Sequence, residues 1–137
     1  MRVETTLAFL AIVISGCATG VDAQEDSQLQ GTWLFEYVAG LPVIDRSPAR
    51  IEFHGDGRVS GNASCNQISG GYELSGPVLI IGEVAATRRM CHETLMNQEL
   101  RVLQTLQDVT AWTIENDLLS LLDAGGAEIF RASRIEL

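Results

Sequence analysis

The sequence predicts a mainly β (α+β) fold: a small antiparallel β-meander, forming a partly open, barrel-like sheet, with one amphipathic helix. From Leu29 onward, short runs of β-branched and aromatic residues alternate with Gly, Asn, Asp and Pro, which is typical of strands joined by turns. A single later segment instead repeats its apolar residues at helical spacing. With 137 residues, the chain has room for one such domain and a leader.

The strands are predicted over residues 32–38, 49–54, 58–63, 71–74, 78–81, 111–115, 118–122 and 127–132. Tight linkers join neighbouring strands: Gly55-Asp56-Gly57, Ser75-Gly76, Asn116-Asp117 and Gly125-Gly126. These residue types adopt positive φ at low steric cost, which short hairpin turns require. The topology is therefore expected to be largely a meander.

The predicted helix covers residues 93–107. Its apolar stripe runs through Met96, Leu100 and Leu103 at i, i+4 and i+7, reaches Gln107 at i+11, and is widened by Leu106. A sheet of this size cannot leave its apolar side in water. We therefore expect the stripe to pack on one sheet face or to plug an open end.

The charge of the chain excludes several classes of function. Its formal net charge is −9, and the sequence contains scattered Arg but no Lys. A phosphate backbone attracts clustered basic residues, so nucleic acid is not an expected partner. The missing Lys also excludes Schiff-base chemistry, and neither a GxxxxGK[ST] nor a GxGxxG string occurs.

The N-terminus has the pattern of an export signal. Residues 7–15 form an apolar run that is too short to span a bilayer and follows a segment containing Arg2. The run ends in Ile14-Ser15-Gly16-Cys17, which resembles the lipobox of bacterial lipoproteins, so Cys17 is the predicted lipidation site and mature N-terminus. Glu4 weakens the positive n-region and keeps open an ordinary signal peptide with a chance Cys.

The predicted organisation is a signal peptide over residues 1–16, a flexible tether over 17–28 and a folded domain over 29–134. The tether is polar and lacks hydrophobic periodicity. Residue 18 is Ala rather than Asp, which looks like outer-membrane sorting. The expected location is the cell envelope, on the outer membrane facing the periplasm, with the N-terminal lipid (palmitate among its acyl chains) as the membrane anchor.

Once Cys17 carries lipid, Cys65 and Cys91 remain, and an even pair in an oxidising compartment predicts a disulfide. One alternative is a metal site that adds His54 and His92. The adjacent Cys91-His92 lacks the usual ligand spacing, so no metal is expected. The other alternative is a redox thiol pair, although these cysteines do not form a C-x-x-C motif.

Several motifs occur in a fixed order: Gly-Thr-Trp at residues 31–33, Gly-x-Pro-Val at 40–43, G-x-x-x-C-N-x-x-x-G-x-Y at 61–72, and a Thr-x-Met-x-Cys-like stretch at 87–91. Together they resemble the META domain, the family that includes heat-shock HslJ-type lipoproteins, from about Leu29 to Phe130. This chain departs from the pattern at one point: Met90 directly precedes Cys91, and Arg89 stands where Met is common. The resemblance implies an envelope protein of stress tolerance, with heat-shock and novobiocin-resistance phenotypes and no agreed enzymatic activity.

The candidate binding surface comprises Asn62, Asn66, Tyr72, Thr87, Arg88, Arg89, Met90 and His92. The Asn and Ser residues of 62–69 either form a polar recognition surface or simply cap turns, and turn capping is the simpler interpretation. Arg88 and Arg89 either contact a phosphate, a lipid headgroup or a carboxylate partner, or pair locally. Local pairing, with Glu83, Glu93 or Glu99, is the simpler interpretation.

The leading functional hypothesis is a non-enzymatic envelope lipoprotein that supports outer-membrane integrity under stress by contacting a protein or ligand. No cofactor is expected. No catalytic residue is expected either, because no G-x-S-x-G elbow accompanies His54. One alternative is a small-molecule binding module with a lipocalin-like barrel, in which Trp33, Phe35 and Tyr37 line the mouth rather than the core. A weaker alternative is a hydrolase.

Overall fold

The computed structural model describes residues 11–16 and 22–136. The helices are α1 (Asp22–Leu29) and α2 (Glu93–Leu106). The strands are β1 (Gly31–Val38), β2 (Leu41–Pro42), β3 (Arg50–Phe53), β4 (Arg58–Asn62), β5 (Gln67–Ser75), β6 (Val78–Ile81), β7 (Ala85–Ala86), β8 (Ala111–Glu115), β9 (Leu118–Leu122) and β10 (Glu128–Ile135). The predicted mainly β fold with one main amphipathic helix is confirmed.

The strands form a closed, eight-stranded antiparallel barrel in the order β1, β3, β4, β5, β6, β8, β9 and β10, with β10 pairing back onto β1. The sequence predicted a partly open, barrel-like sheet, and the β1–β10 ladder from Thr32↔Ile135 to Val38↔Phe130 closes it. Closure removes the unpaired edges that an open sheet exposes. The two short strands lie outside the ring, β2 beside β1 and β7 beside β5.

The predicted strands all occur, with two extensions. Strand β5 begins at Gln67 rather than at residue 71, and β10 continues to Ile135. Strands β2 and β7 were not predicted, because two residues cannot show alternation. Gly61 lets β3 and β4 approach closely: a Cβ at this position would lie 2.2 Å from the carbonyl oxygen of Arg50.

Large side chains fill the barrel interior. Trp33, Phe53, Phe130, Leu119 and Leu121 are fully buried or nearly so. Two aromatic pairs tie strands together: Phe35 with Phe130 at 4.8 Å between centroids, and Phe53 edge-on to Tyr72 at 5.2 Å. On β1, Trp33 and Phe35 therefore belong to the core, while Tyr37 is 41% exposed. Within the described residues, Trp33 and Phe35 therefore pack in the interior rather than line the mouth that the lipocalin-like alternative requires.

Helix α1 occupies part of the segment for which the sequence predicted a flexible tether. Its last residue, Leu29, is fully buried, and its carbonyl accepts a 2.8 Å hydrogen bond from the Trp33 indole Nε1. The guanidinium of Arg134 donates to the carbonyls of Gln28 and Gln30. The C-terminal residues of α1 therefore fix the helix on the barrel.

Helix α2 buries only part of the apolar face that the sequence predicted. Its buried residues are Gln98, Glu99, Val102, Thr105 and Leu106. Of the predicted stripe, Leu100 is 56% exposed and Met96 and Leu103 are only half-buried. The predicted stripe packs on the barrel only in part: Leu106 is fully buried and Leu103 packs against the core. Gln98 and Glu99, which have dedicated hydrogen-bond partners, take inward positions that the prediction did not give them.

Within the described parts of the chain, no helix is long and apolar enough to cross a membrane. Ile14, Ser15 and Gly16 of the lipobox-like sequence are exposed. Cys17, the predicted lipidation site, lies outside the described residues.

Candidate functional site

Residues 87–92, named the arginine loop here, connect β7 to α2 and are fixed at three points. The Thr87 amide donates to the carbonyl of Gln67 at 3.0 Å. The Arg89 amide donates to Asn66 Oδ1, and the Arg89 carbonyl accepts from Asn66 Nδ2 at 3.1 Å. Cys91 forms a disulfide with Cys65, with 6.0 Å between the two Cα atoms. The backbone of the loop is therefore set independently of any partner.

Asn66 organises this loop. Its side chain is buried, with a residue exposure of 2%, and all four of its hydrogen-bonding positions are used. Oδ1 accepts from Thr87 Oγ1 at 2.9 Å and from the Arg89 amide, while Nδ2 donates to the Arg89 carbonyl and to Glu99 Oε2 at 2.7 Å. Asn66 thus holds the surface in shape without presenting its own side chain.

Two consecutive buried polar residues of α2 connect the helix to loops at this end of the barrel. Glu99 Oε1 accepts from the amides of Cys65 and Asn66. Gln98 Oε1 accepts from the Ile44 amide at 2.8 Å, and Gln98 Nε2 donates to Ser47 Oγ and Ser64 Oγ. Buried polar and charged groups are tolerated only when they are paired in this way. The helix is therefore positioned by hydrogen bonds as well as by apolar packing.

The outward side chains of the arginine loop are two cations and an apolar tip. Arg88 and Arg89 are exposed, and Met90 is 88% exposed. Among the described residues, neither Arg forms an ion pair, so the expected local pairing with Glu83, Glu93 or Glu99 was wrong. Glu99 is turned inward, where backbone amides and Asn66 occupy its carboxylate.

His92 ends the loop as the N-cap of α2. Its Nδ1 accepts from the Thr94 amide at 3.4 Å and lies 3.0 Å from Thr94 Oγ1. The ring itself is exposed. This contact gives His92 a structural role in starting the helix.

A groove of about 410 Å³ lies between the arginine loop and α2. Its lining residues are Asn66, Ala86, Thr87, Arg88, Arg89, Met90, Met96, Glu99 and Leu103. The groove therefore joins the exposed cations to the half-buried apolar side of the helix. It is open to solvent.

The family profile of the META domain matches residues 26–134, which contain the barrel, the disulfide and the arginine loop. The chain belongs to the META domain family. The resemblance inferred from the spaced motifs is thereby confirmed. A comparison with curated proteins finds no significant match.

Solved structures share the fold of this META domain. One NMR structure, titled only as that of "the protein", is 28% identical, with a TM-score of 0.64 over 80% of this chain and 93% of the other. An NMR structure of a protein from Burkholderia xenovorans is 18% identical, with a TM-score of 0.66 over 98% and 100%. A crystal structure of a DUF4847 family protein from Bacteroides vulgatus is 16% identical, with a TM-score of 0.56 over 83% and 99%.

The META domain does not bring all of the predicted surface residues together. Asn62 lies near the loop, but its Oδ1 accepts from the Ser64 amide at 2.9 Å, as turn capping requires. Tyr72 lies in the core near α1, where its hydroxyl donates to the His54 carbonyl at 2.6 Å. Burial, and secondarily the nearby Asp26, raise the pKa of Tyr72 to about 12. Tyr72 is therefore not part of this surface.

His54 contacts a serine on the outer side of the barrel. Its Nε2 lies 2.8 Å from Ser60 Oγ, and its Nδ1 lies 3.9 Å from Glu52 Oε1. The second distance exceeds a hydrogen bond, so Glu52 does not orient the imidazole as a catalytic triad requires. Among residues 11–16 and 22–136, no three His, Cys, Asp or Glu side chains are grouped to hold a metal ion.

Proposed function

We propose that this META domain protein is a non-enzymatic envelope lipoprotein that supports stress tolerance and outer-membrane integrity by binding a protein partner through the arginine loop. Heat and novobiocin are the stresses that the family resemblance implies. Membership of the META domain family, which is not a known enzyme family, supports a non-enzymatic role. A catalytic arrangement around His54 lacks an orienting acid at hydrogen-bond distance.

The observation that carries the proposal is the fixed geometry of the loop together with its unpaired cations. A surface that is already ordered loses less conformational entropy on binding than a flexible one. Asn66 and the Cys65–Cys91 disulfide supply that order, while Arg88 and Arg89 form no ion pair among the described residues. Their charges are available to a partner, where they add specificity and association rate.

The proposal places the protein on the outer membrane, facing the periplasm, with Cys17 as the lipid-bearing residue. The apolar run of residues 7–15 and the sequence Ile14-Ser15-Gly16-Cys17 support this. The test is metabolic labelling with palmitate followed by membrane fractionation. The native sequence is expected to incorporate label and to sediment with the outer membrane, and Cys17→Ser is expected to lose both. Equal labelling of the two proteins would refute the anchor.

Binding is tested by a pull-down from detergent-solubilised envelopes of stressed cells. The bait is the full chain, compared with the double variant Arg88→Ala/Arg89→Ala. The control is Arg46→Ala/Arg58→Ala, which removes the same charge from exposed positions outside the loop. Exposed arginines contribute little to stability, so both double variants are expected to remain folded.

The native chain and the control are expected to enrich the same protein partner, and the loop variant is expected to lose it. Recovery of that partner by the loop variant would show that the arginine loop is not the contact surface. Enrichment of no protein by the native chain would reject the proposed mode of action.

A further inference from the structure

Part of the apolar stripe on α2 is exposed next to the arginine loop. An amphipathic helix in a single domain ordinarily turns such a stripe toward its own core. Here Gln98 and Glu99 occupy the inward face, and Leu100 remains 56% exposed. Met96 and Leu103 line the groove together with Met90, which is 88% exposed. Leu103 also packs against the core, so the fold leaves Met90, Leu100 and part of Met96 in solvent beside two unpaired cations.

We propose that this groove binds an acidic amphipathic helix of an envelope protein. The inference rests on the proposed function and adds the chemistry of the partner. Met96, Leu100 and Leu103 recur at helical spacing, so the apolar side of a second helix can pack along them. From Met96 to Leu103 the strip rises about 10 Å, or two helical turns.

The positive charge of the arginine loop favours a partner helix with acidic residues along one flank. Arg88 and Arg89 lie at the groove, and the carboxylate of Glu99 faces inward, where it accepts from Asn66 and Cys65. The guanidinium group pairs with carboxylates through two parallel hydrogen bonds, which also fixes their orientation. Asp or Glu on the flank of the partner helix meets these cations, and its apolar residues meet the strip. Met90 and Met96 adapt easily to the shape of an apolar partner.

A bilayer fits the groove less well than a protein does. Binding of basic segments to anionic lipid depends on clusters of about four to eight Lys or Arg, whereas the groove carries two and the chain has a net charge of −9. Strand register also separates the groove from the anchor. Gly31, which follows α1, pairs with Phe53 at one end of β3, while the turn leading to Asn66 lies at the other end of β3 and β4.

The short length of chain between Cys17 and α1 agrees with this separation of the groove from the anchor. Four residues, 18–21, lie between Cys17 and the start of α1. The five residue steps from Cys17 to Asp22 extend at most about 18 Å, so a lipid on Cys17 keeps the α1 end near the membrane. The arginine loop is then directed away from that bilayer, toward other envelope proteins.

Two other candidate occupants of the groove, a second copy of the protein and its own residues 7–15, fit less well. A second copy carries the same net charge of −9, so the two copies repel each other at long range. The apolar run of residues 7–15 contains no Asp or Glu to meet the arginines. An acidic amphipathic helix supplies both the apolar and the anionic contacts.

The test is site-specific photo-crosslinking in living cells with the full-length protein. A photoreactive amino acid replaces Leu100 in one variant, Met90 in a second, and Leu118, an exposed apolar residue outside the groove, in the control. Mass spectrometry then identifies the sequence of the crosslinked segment of the partner. Leu100 and Met90 are expected to capture one shared segment with apolar residues at i, i+3, i+4 and i+7 and an excess of Asp and Glu. Leu118 is expected not to capture it.

A second set of variants tests the two arginines of the groove and Leu100, which is exposed on α2 beside the groove. Arg88→Glu/Arg89→Glu, combined with the probe at Leu100, is expected to lower the crosslink yield about tenfold or more. Leu100→Asn, combined with the probe at Met90, is expected to lower it as well. Unchanged yields in both would overturn the inference. Urea denaturation of each variant excludes unfolding as the cause of a loss.

The outcomes separate this inference from the proposed function. Capture of a lipid, of a second copy, or of a segment without acidic excess overturns the partner chemistry. The proposed function survives that result if the pull-down still depends on Arg88 and Arg89. If neither Leu100 nor Met90 captures any molecule, the inference fails. If the pull-down also finds no partner, the proposed function fails with it.

Discussion

The Asn66 carboxamide and the Glu99 carboxylate are joined by a 2.7 Å hydrogen bond from Nδ2 to Oε2, and the Asn66 backbone amide also donates to Oε1 of the same carboxylate. Both residues are buried. The pair connects the β4–β5 turn to α2, and through Arg89 it holds the arginine loop. The candidate binding surface therefore depends on a polar contact in the interior.

Asn66→Asp is expected to destabilise the domain by about 3 kcal/mol or more. The substitution keeps the shape but places a second carboxylate against Glu99 and removes the donor to the Arg89 carbonyl. The matched control is Asn97→Asp, the same chemical change at an exposed position of α2, with an expected effect within about 0.5 kcal/mol. Urea denaturation measures both, and similar midpoints for the two variants would contradict the interior role of Asn66.

Removing the disulfide through Cys65→Ala/Cys91→Ala is expected to lower the free energy of unfolding by about 3–4 kcal/mol. The bond joins residues 26 apart, and its loss restores conformational freedom to the unfolded chain. Chemical denaturation under oxidising conditions provides the measurement. Reductant should destabilise the native protein and leave the double variant unchanged. A double variant as stable as the native protein would show that the bond contributes nothing.

The raised pKa of Tyr72 predicts that the domain loses stability in alkali. Burial raises its pKa to about 12, whereas a free tyrosine ionises near pH 10. Between these values the folded state keeps a proton that the unfolded state has released, so this contribution is complete below pH 10 and disappears as the pH rises toward 12. Unfolding free energies measured from pH 8 to 12 should fall more steeply for the native protein than for Tyr72→Phe. Parallel curves would refute the assignment.

Arg134 is expected to hold α1 on the barrel. Its guanidinium lies 4.2 Å from the Trp33 ring centroid and donates to the carbonyls of Gln30 at 2.8 Å and Gln28 at 2.6 Å. Lys cannot reproduce this two-pronged geometry, so Arg134→Lys should speed amide hydrogen exchange in residues 22–30 about tenfold, or ~1.4 kcal/mol.

The control for α1 is Arg131→Lys, because Arg131 also stacks on an aromatic ring, that of Tyr37, and pairs with Glu128. Arg131 makes no contact with α1 among these interactions, so exchange in residues 22–30 should remain at the native rate. Equal acceleration in both variants would indicate general loosening of the barrel rather than release of the helix.

The strands and hairpins could be predicted because their signals are local. Alternation of apolar residues marks a strand, and the Asn116-Asp117 turn, with φ of 52° and 60°, is the tight turn that those residue types favour. Closure of the barrel could not be predicted in this way. It pairs Thr32 with Ile135, more than a hundred residues later, and no local sequence pattern indicates such a long-range strand pairing.

The buried face of α2 was predicted only in part, because hydrophobicity alone does not show which polar residues have buried partners. Gln98 meets Ile44 and Glu99 meets Asn66, 54 and 33 residues away in the sequence. The motif identified Asn66 and the arginine loop as residues of interest, but it did not show that Asn66 is interior. The inward position of the Glu99 carboxylate explains why the expected ion pair between Glu99 and the arginines does not form.

The central claim, an exported lipoprotein with an internal disulfide, is tested most directly by the intact mass of the native polypeptide purified from envelopes. The predicted result is a chain that begins at acylated Cys17 and yields no free thiol before reduction and two afterwards. A polypeptide that retains residues 1–16, carries no acyl chain and has three free thiols would contradict the account.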